Sequence, residues 1–399
     1  MRKKLLFIAV YPFPLNMGSK QHAYYFLKAL SRLCEVYCIF FIPPGMPAPS
    51  QEELNAIDLD LKGIKLCFFK TSKIRHNQLQ YIINLVSFPN RFSKLATHEA
   101  GYKAIISSIN KWAIDIVHVE HFWFAPYLFK LGNRLKKVIV YHDLHHDVFR
   151  KQLKLENKPT VKLQLFLEML KIRLFEKFLD HFVTLKIFLN PDEMKLLPQK
   201  AIHIPHIVNS EIVYNCARDT EFFNLLFIGS YHHAPNRSSM EFIINQILPE
   251  LIVIKPSFRL HVVGPGTENF SSIIDSSNIK KYVHIHGFQE DINNAFKDMD
   301  LALFPIAYGG GVKTKVIDAM AAGIPVVTTS EGLTGMINLP DNCIAVGDTP
   351  DDVLKEILLL MNGFTIRQDR SRIGREYILR EHSFEAFSQK VAKTYLNNL

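Results

Sequence analysis

With 399 residues the chain is longer than one ordinary hydrophobic core supports, so two or three domains are expected. Hydrophobic residues at 48% and charged residues at 21% exclude an intrinsically disordered chain. A net charge of +9 and a pI near 9.1 favour anionic neighbours. No compact basic cluster with interleaved aromatics of the known RNA-binding types occurs, so the expected neighbours are phosphate-bearing substrates or an anionic membrane face, not nucleic acid. The cysteines Cys34, Cys38, Cys67, Cys216 and Cys343 form no CxxC pair, and their odd number suits reduced thiols of a cytoplasmic protein.

In chain order, MRKKLLFIAVYPFP imitates a signal peptide, but prolines interrupt it and no small-residue cleavage site follows. The stretch 5-LLFIAV-10 is therefore expected to be a first buried strand. A Pro/Gly loop leads to a helix over 20–33 and a strand over 35–42. Further strands are expected at 114–120 and 137–143, then a long helix over 160–182 and a strand at 182–186. The alternation pauses around 201–222. It restarts with a strand at 224–229, a helix over 236–251, and strands at 258–264, 282–287 and 301–306. The final helix, 384–399, carries an apolar stripe at Phe384, Phe387, Val391 and Tyr395. Alternating strands and helices imply an α/β chain of two Rossmann-like, doubly wound parallel-sheet halves, with ligands at the carboxyl ends of the strands. No uncharged run approaches the roughly 20 residues needed to span a bilayer, so a soluble or peripheral protein is expected.

The stretch 308-YGGGVKTKVIDAMAAGIPVVTT-329 carries the clearest chemistry. Tyr308 ends a strand region, Gly309, Gly310 and Gly311 follow, and a helix is expected from near Val312. Glycines at a helix start let an anion approach unpaired backbone N–H groups and the positive end of the helix dipole. Lys313 and Lys315 add mobile positive charge. Asp318 lies two turns into the helix, about 10 Å along its axis from the glycines, within reach of sugar hydroxyls. Phosphates at the helix mouth and a ribose at Asp318 together fit a nucleoside diphosphate. The bland alternative is a glycine-rich turn followed by a solvated Lys315–Asp318 surface pair. The apolar neighbours Ile317 and Ala319 weigh against it.

The same block resembles the C-terminal signature of retaining GT-B glycosyltransferases of family 4, also called group 1. It is most similar to a branch patterned FxGSMxxxPN…ILP…P…IVG…G…KxLEAMAxGxPVV. The matching segments are 227-FIGSYHHAPN-236, 247-ILPEL-251, 262-VVGPG-266 and 313-KTKVIDAMAAGIPVV-327. In the first half, 12-PFPLNMGS-19 takes the place of the N-terminal glycine loop and 138-VIVYHDLHHD-147 that of the strand-end histidine region. The resemblance implies a GT-B fold with a central cleft. Its expected parts are an acceptor-binding domain over 1–205, a linker over 206–221 and a donor domain over 222–383, with the helix 384–399 returning to the first domain. It implies Asp318 as the ribose acid, and Gly311, Val312 and Lys315 as the phosphate-binding helix start. Gly18 and Ser19 would face the diphosphate, and Gly229 and Ser230 open the donor domain's first turn. The chain departs from the family at Gly310, where many members place a sugar-contacting acid. It departs again at Ser230 and Pro235, where many carry Arg and Lys. Lys313 and Lys315, with His232 or His233, are expected to neutralise the phosphates instead.

Other candidates cluster at strand ends. The resemblance places Glu120 and His121, in 116-IVHVEHFW-123, near the reacting sugar, with His118 inside the strand. His142, Asp143, His145 and His146 follow another strand, and one of them is a candidate base for an acceptor hydroxyl. The spacing HDLHHD fits no zinc signature and the segment reads as a loop, so no metal and no cofactor are expected. Segments 149–173 and 66–94 mix basic and large apolar side chains, a composition suited equally to ordinary domain helices and to docking on an anionic membrane. The expected function is transfer of a sugar from a nucleoside diphosphate donor to a glycan or lipid-linked hydroxyl with retention. The expected place is the cytoplasm, peripheral to the inner face of the membrane. The alternatives are an inactive GT-B-like accessory protein and a sugar-nucleotide epimerase.

Overall fold

A computed structural model describes residues 2–13, 18–61, 63–71, 99–208, 212–215, 222–274 and 278–399. Residues 14–17 of the N-terminal loop, 72–94 of the second basic stretch, Cys216, and 209–211 and 216–221 of the expected linker lie outside the described residues. The chain divides into two units, Met1–Ile207 with Glu385–Leu399, and Val208–Phe384.

The first unit is built on a parallel sheet in the order β3-β2-β1-β4-β5-β6-β7. Its strands are β1 Lys4–Val10, β2 Glu35–Ile42, β3 Lys65–Lys70, β4 Ile116–Val119, β5 Lys136–Tyr141, β6 Leu185–Phe188 and β7 Ala201–His203. The inner strands read as continuous apolar runs because helices cover both faces of a parallel sheet. Leu5 through Ala9 are fully buried, and Phe7 stands opposite Cys38 on one side and His118 on the other. The chain leaves β1 toward β2 on one side, while β4 lies on the other. The carboxyl ends of β1 and β4 therefore flank the point where the winding reverses, where such sheets bind ligands. The helix Gly18–Ser31 follows β1, and the C-terminal helix Phe384–Asn398 belongs to this unit.

The strand expected at 182–186 lies three residues later. The long helix Pro159–Leu179 ends in a turn in which Val183 N donates to Leu179 O, and β6 begins only at Leu185. Within β6 the buried Lys186 pairs with Asp180 and donates to Leu197 O.

The second unit repeats the plan in the order β10-β9-β8-β11-β12-β13, all parallel. Its strands are β8 Phe223–Ile228, β9 Phe258–Val263, β10 Val283–Gly287, β11 Leu301–Phe304, β12 Val326–Thr328 and β13 Ala345–Val346. The helix expected over 236–251 spans Ala234–Ile254, with a π-helical stretch at Ile243–Ile247. Pro249 has no N–H to return to the preceding turn, and the widened stretch comes just before it. Among the described residues, no helix is long and apolar enough to cross a membrane.

Candidate functional site

In the second unit β8 and β11 are neighbours, and their onward connections run to opposite sides of the sheet. The winding reverses between them. At their carboxyl ends lies a cavity of about 290 Å³, near the small end of the range for ligand sites. Gly229, His233 and Asn236 line it from the segment after β8, and Tyr308, Gly310 and Lys315 from the segment after β11. Gly309 at φ +154° and Gly311 at φ +57° have backbone conformations that side chains avoid. The helix starts at Thr314, two residues later than expected, because Lys313, at φ −87° and ψ 82°, is not helical. Thr314 and Lys315 line the cavity, so the positive end of the helix is presented there. Gly229 is required for space: a Cβ there would stand 2.6 Å from Asn236 Cγ.

The two lysines are not mobile charges. Lys315 Nζ donates to Asn236 Oδ1 at 2.7 Å and to Ile228 O at 3.1 Å, and lies over the rings of Phe227 and Phe304. Burial, reinforced by Lys313, lowers its pKa to about 7. Lys313 is buried and folds back onto its own loop, donating to Gly310 O at 2.9 Å and Gly311 O at 3.3 Å. Its Nζ is also 3.3 Å from Glu331 Oε1. Tied ammonium groups cost no further ordering when an anion arrives.

Asp318 is half-buried and makes no ion pair with Lys315 or any other described residue. Burial raises its pKa to about 7. The solvated Lys315–Asp318 pair is thereby replaced by two separately buried groups. Asp318 does not line the cavity, nor does Ser230, whose Oγ accepts from His232 N and whose carbonyl accepts from Asn236 Nδ2. Val312 lines the cavity and packs against Gly335.

In the first unit, Gly18 and Ser19 begin the helix after β1. Four strand-end candidates separate into different roles. Glu120 is fully buried, and three imidazoles converge on it. His22 Nδ1 lies 2.6 Å and His142 Nε2 3.0 Å from Oε1, and His118 Nε2 lies 2.9 Å from Oε2. Burial alone would raise the Glu120 pKa, but the imidazoles overcome it and hold the carboxylate well below its usual range. His118 stacks on Phe7 and bonds Tyr395 of the C-terminal helix. His121 packs on His142 with ring centroids 4.3 Å apart, and burial, with the neighbouring His142, holds it neutral. Asp143 is half-buried beside this group.

The segment HDLHHD is not wholly a loop, since the helix His145–Leu155 begins within it. Two buried acids anchor that start. Glu193 accepts from Leu144 N at 2.7 Å, and Glu176 from His145 N at 3.1 Å and from the His146 ring. Among the described residues, His22, Glu120 and His142 are the group with spacing to hold a cation, their ligand atoms lying within 4.8 Å of one another.

Residues 223–363, the segment that builds this cavity, match the family model described as glycosyl transferases group 1. That segment is therefore similar to group 1 glycosyltransferases. The chain is 25% identical over 210 residues to an uncharacterized 44.6 kDa protein in the cps region of Klebsiella pneumoniae. That match covers 50% of each chain, so the chain spans about half the length of the curated relative it matches. Two solved structures share its GT-B fold over its full length. Sucrose-phosphate synthase from Thermosynechococcus elongatus superposes with a TM-score of 0.71 at 14% identity, covering 99% of both chains. Anabaena HepE in complex with UDP and glucose superposes with a TM-score of 0.67 at 14% identity, covering 100% of both.

Four residues of the two clusters were not singled out by the sequence as site residues. Asn236 sits in the PN of the motif, but its bond to Lys315 spans 79 positions. Glu331 meets Lys313 from the turn after β12, in a segment with no acid–base spacing of its own. His22 and Tyr395 reach the Glu120 cluster from the first and last helices. Each depends on a long-range fold contact that periodicity does not encode.

Proposed function

We propose that the chain is a retaining glycosyltransferase that needs no metal and moves a hexose-type sugar from a nucleoside diphosphate donor to a glycan or lipid-linked hydroxyl. The observation that carries this reading is the cavity at the carboxyl ends of β8 and β11. It joins a glycine loop, a helix N-terminus and the tethered ammonium of Lys315. Negative charge grows on the diphosphate as the glycosidic bond breaks, and fixed donors aimed at it lower the barrier. A diphosphate beside Lys315 favours the charged ammonium, so a group with a pKa near 7 becomes protonated as the leaving group forms. Asp318, ionised above neutral pH, takes the ribose hydroxyls. In the first unit, Glu120 orients His142 through Nε2, which leaves Nδ1 of His142 to accept the acceptor's proton.

The relative in a cps region and the solved HepE complexes support a role in polysaccharide or glycoconjugate synthesis and make UDP-glucose the first donor to test. The reading places the enzyme in the cytoplasm, on the inner face of the membrane. The helix Pro159–Leu179 exposes Leu163, Phe166, Leu167, Leu170, Leu174 and Phe178 along one face, with Leu174 68% exposed. Lys162, Arg173 and Lys177 are exposed beside them. An apolar stripe with basic flanks fits an anionic lipid surface, where a lipid-linked acceptor would lie.

A panel of nucleotide sugars read by thermal shift tests the donor class, because a bound donor stabilises in proportion to ln(1 + [L]/Kd). Products are then analysed with and without glycan acceptors. An epimer formed from donor alone would instead make the chain a sugar-nucleotide epimerase. Nucleotide binding with no sugar released to any acceptor would make it an accessory protein, the reading that Gly310 favours.

A further inference from the structure

Glycine stands at position 310, where the paired-acid pattern puts its first carboxylate. In three dimensions a carboxylate is nevertheless close by. The Lys313 ammonium bridges Gly310 O at 2.9 Å and Glu331 Oε1 at 3.3 Å. Glu331 therefore stands two contact lengths from the backbone of the residue that lacks an acid. It arrives from the carboxyl end of β12, the strand paired with β11.

The segment that carries Glu331 is fastened to the glycine loop. Thr329 caps the short turn Ser330–Leu333 and donates from Oγ1 to Ile306 O, at the entry to the loop. Gly335, at φ +90°, lies so close to Val312 that a Cβ would stand 2.4 Å from Val312 Cγ2. Ser330 is held by both carboxylate oxygens of Asp348. Glu331 thus sits on a fixed support, with its side chain 23% exposed. A partly exposed carboxylate beside a diphosphate site accepts hydrogen bonds from vicinal hydroxyls, as a pyranose supplies.

We propose that Glu331 is the sugar-binding carboxylate of this chain, contacting the hydroxyls of the transferred sugar in place of an acid at position 310. This rests on the donor reading above. Gly310 is flanked by two glycines at positive φ but is not itself in that region, so a glutamate there meets no backbone strain.

The experiment is calorimetry with UDP and UDP-glucose, and with GDP and GDP-mannose, on wild type, Glu331→Gln, Glu331→Asp and the double variant Glu331→Gln with Gly310→Glu. The quantity read is the ratio of sugar-nucleotide to nucleotide affinity. Glu331→Gln is expected to leave nucleotide affinity within about twofold and to lower the ratio about tenfold, the loss of one charge-assisted hydrogen bond. Glu331→Asp should give a smaller loss, and Gly310→Glu should restore the ratio. An unchanged ratio, or an equal loss for nucleotide and sugar nucleotide, would overturn the assignment and leave Glu331 as a support for Lys313. Failure of wild type to bind any of the four ligands would instead overturn the donor reading.

Discussion

Lys315 Nζ lies 2.7 Å from Asn236 Oδ1, so one buried ammonium ties the helix after β11 to the helix after β8. The bond crosses the point where the sheet's winding reverses and forms part of the cavity wall. Asn236→Ala removes this acceptor and leaves Ile228 O as the remaining partner. The variant should lose about 1–3 kcal/mol in urea unfolding, the cost of a buried charged donor losing a hydrogen bond. Gly229→Ala should displace Asn236 and reduce nucleotide affinity with little change in the rest of the fold.

Lys315 and Asp318 should give nucleotide binding two opposed pH dependences. Both titrate near 7 in the folded chain, and Lys315 loses positive charge over the range in which Asp318 gains negative charge. With Asp318→Asn, affinity should fall as pH rises from 6 to 8. With Lys315→Met, it should rise over the same range. Stability follows the same logic. The Asp318 pKa is raised from 3.8, so folding binds a proton between about 4 and 7 and stability falls as pH rises through that window. Asp318→Asn should remove this slope in urea titrations at pH 4.5, 6 and 7.5.

The Glu120 cluster should make the first unit acid-labile. The carboxylate's folded pKa lies well below 4.5, so its stabilising contribution is present above that value and is lost as pH falls below it. His22 is held neutral by burial, so protonation of the unfolded chain below about 6.5 lowers stability further in the same direction. Glu120→Gln replaces the carboxylate by a neutral amide and should cost about 1.5–3 kcal/mol at pH 7, the loss of charge-assisted hydrogen bonds. Denaturation followed from pH 8 down to about pH 2 measures both effects.

Membrane docking should depend on the exposed stripe. Sedimentation with vesicles containing phosphatidylglycerol should capture the wild-type chain, and pure phosphatidylcholine should capture much less. Leu163→Glu with Leu174→Glu should abolish capture without lowering thermal stability, because both side chains are already largely exposed. Equal capture of the double variant would remove the helix from the membrane account, and a change from dimer to monomer would make the stripe a contact between copies.

The order of strands and helices was legible because buried parallel strands are continuous apolar runs and their helices keep a 3.6-residue period. The boundary that moved, from 182 to Leu185, lies where the apolar residues Phe182 and Val183 serve a turn instead of a strand. The glycine loop was legible as a break between a strand and a helix start because its residue types carry that conformation themselves. The partners of the charges were not: Lys313 and Lys315 read as free cations, and only the folded chain shows Glu331 and Asn236 holding them. Glu120 likewise read as a strand-end group without partners, and only the folded chain shows it fully buried under three imidazoles.

The central claim is that the cavity after β8 and β11 binds a nucleoside diphosphate through Lys315 and Asp318. Calorimetry with UDP and GDP on wild type, Lys315→Ala and Asp318→Ala tests it most directly. The account expects one of the two nucleotides to bind wild type and each variant to lose about 1.5–3 kcal/mol of binding free energy. Binding by both variants as tight as by wild type would contradict it.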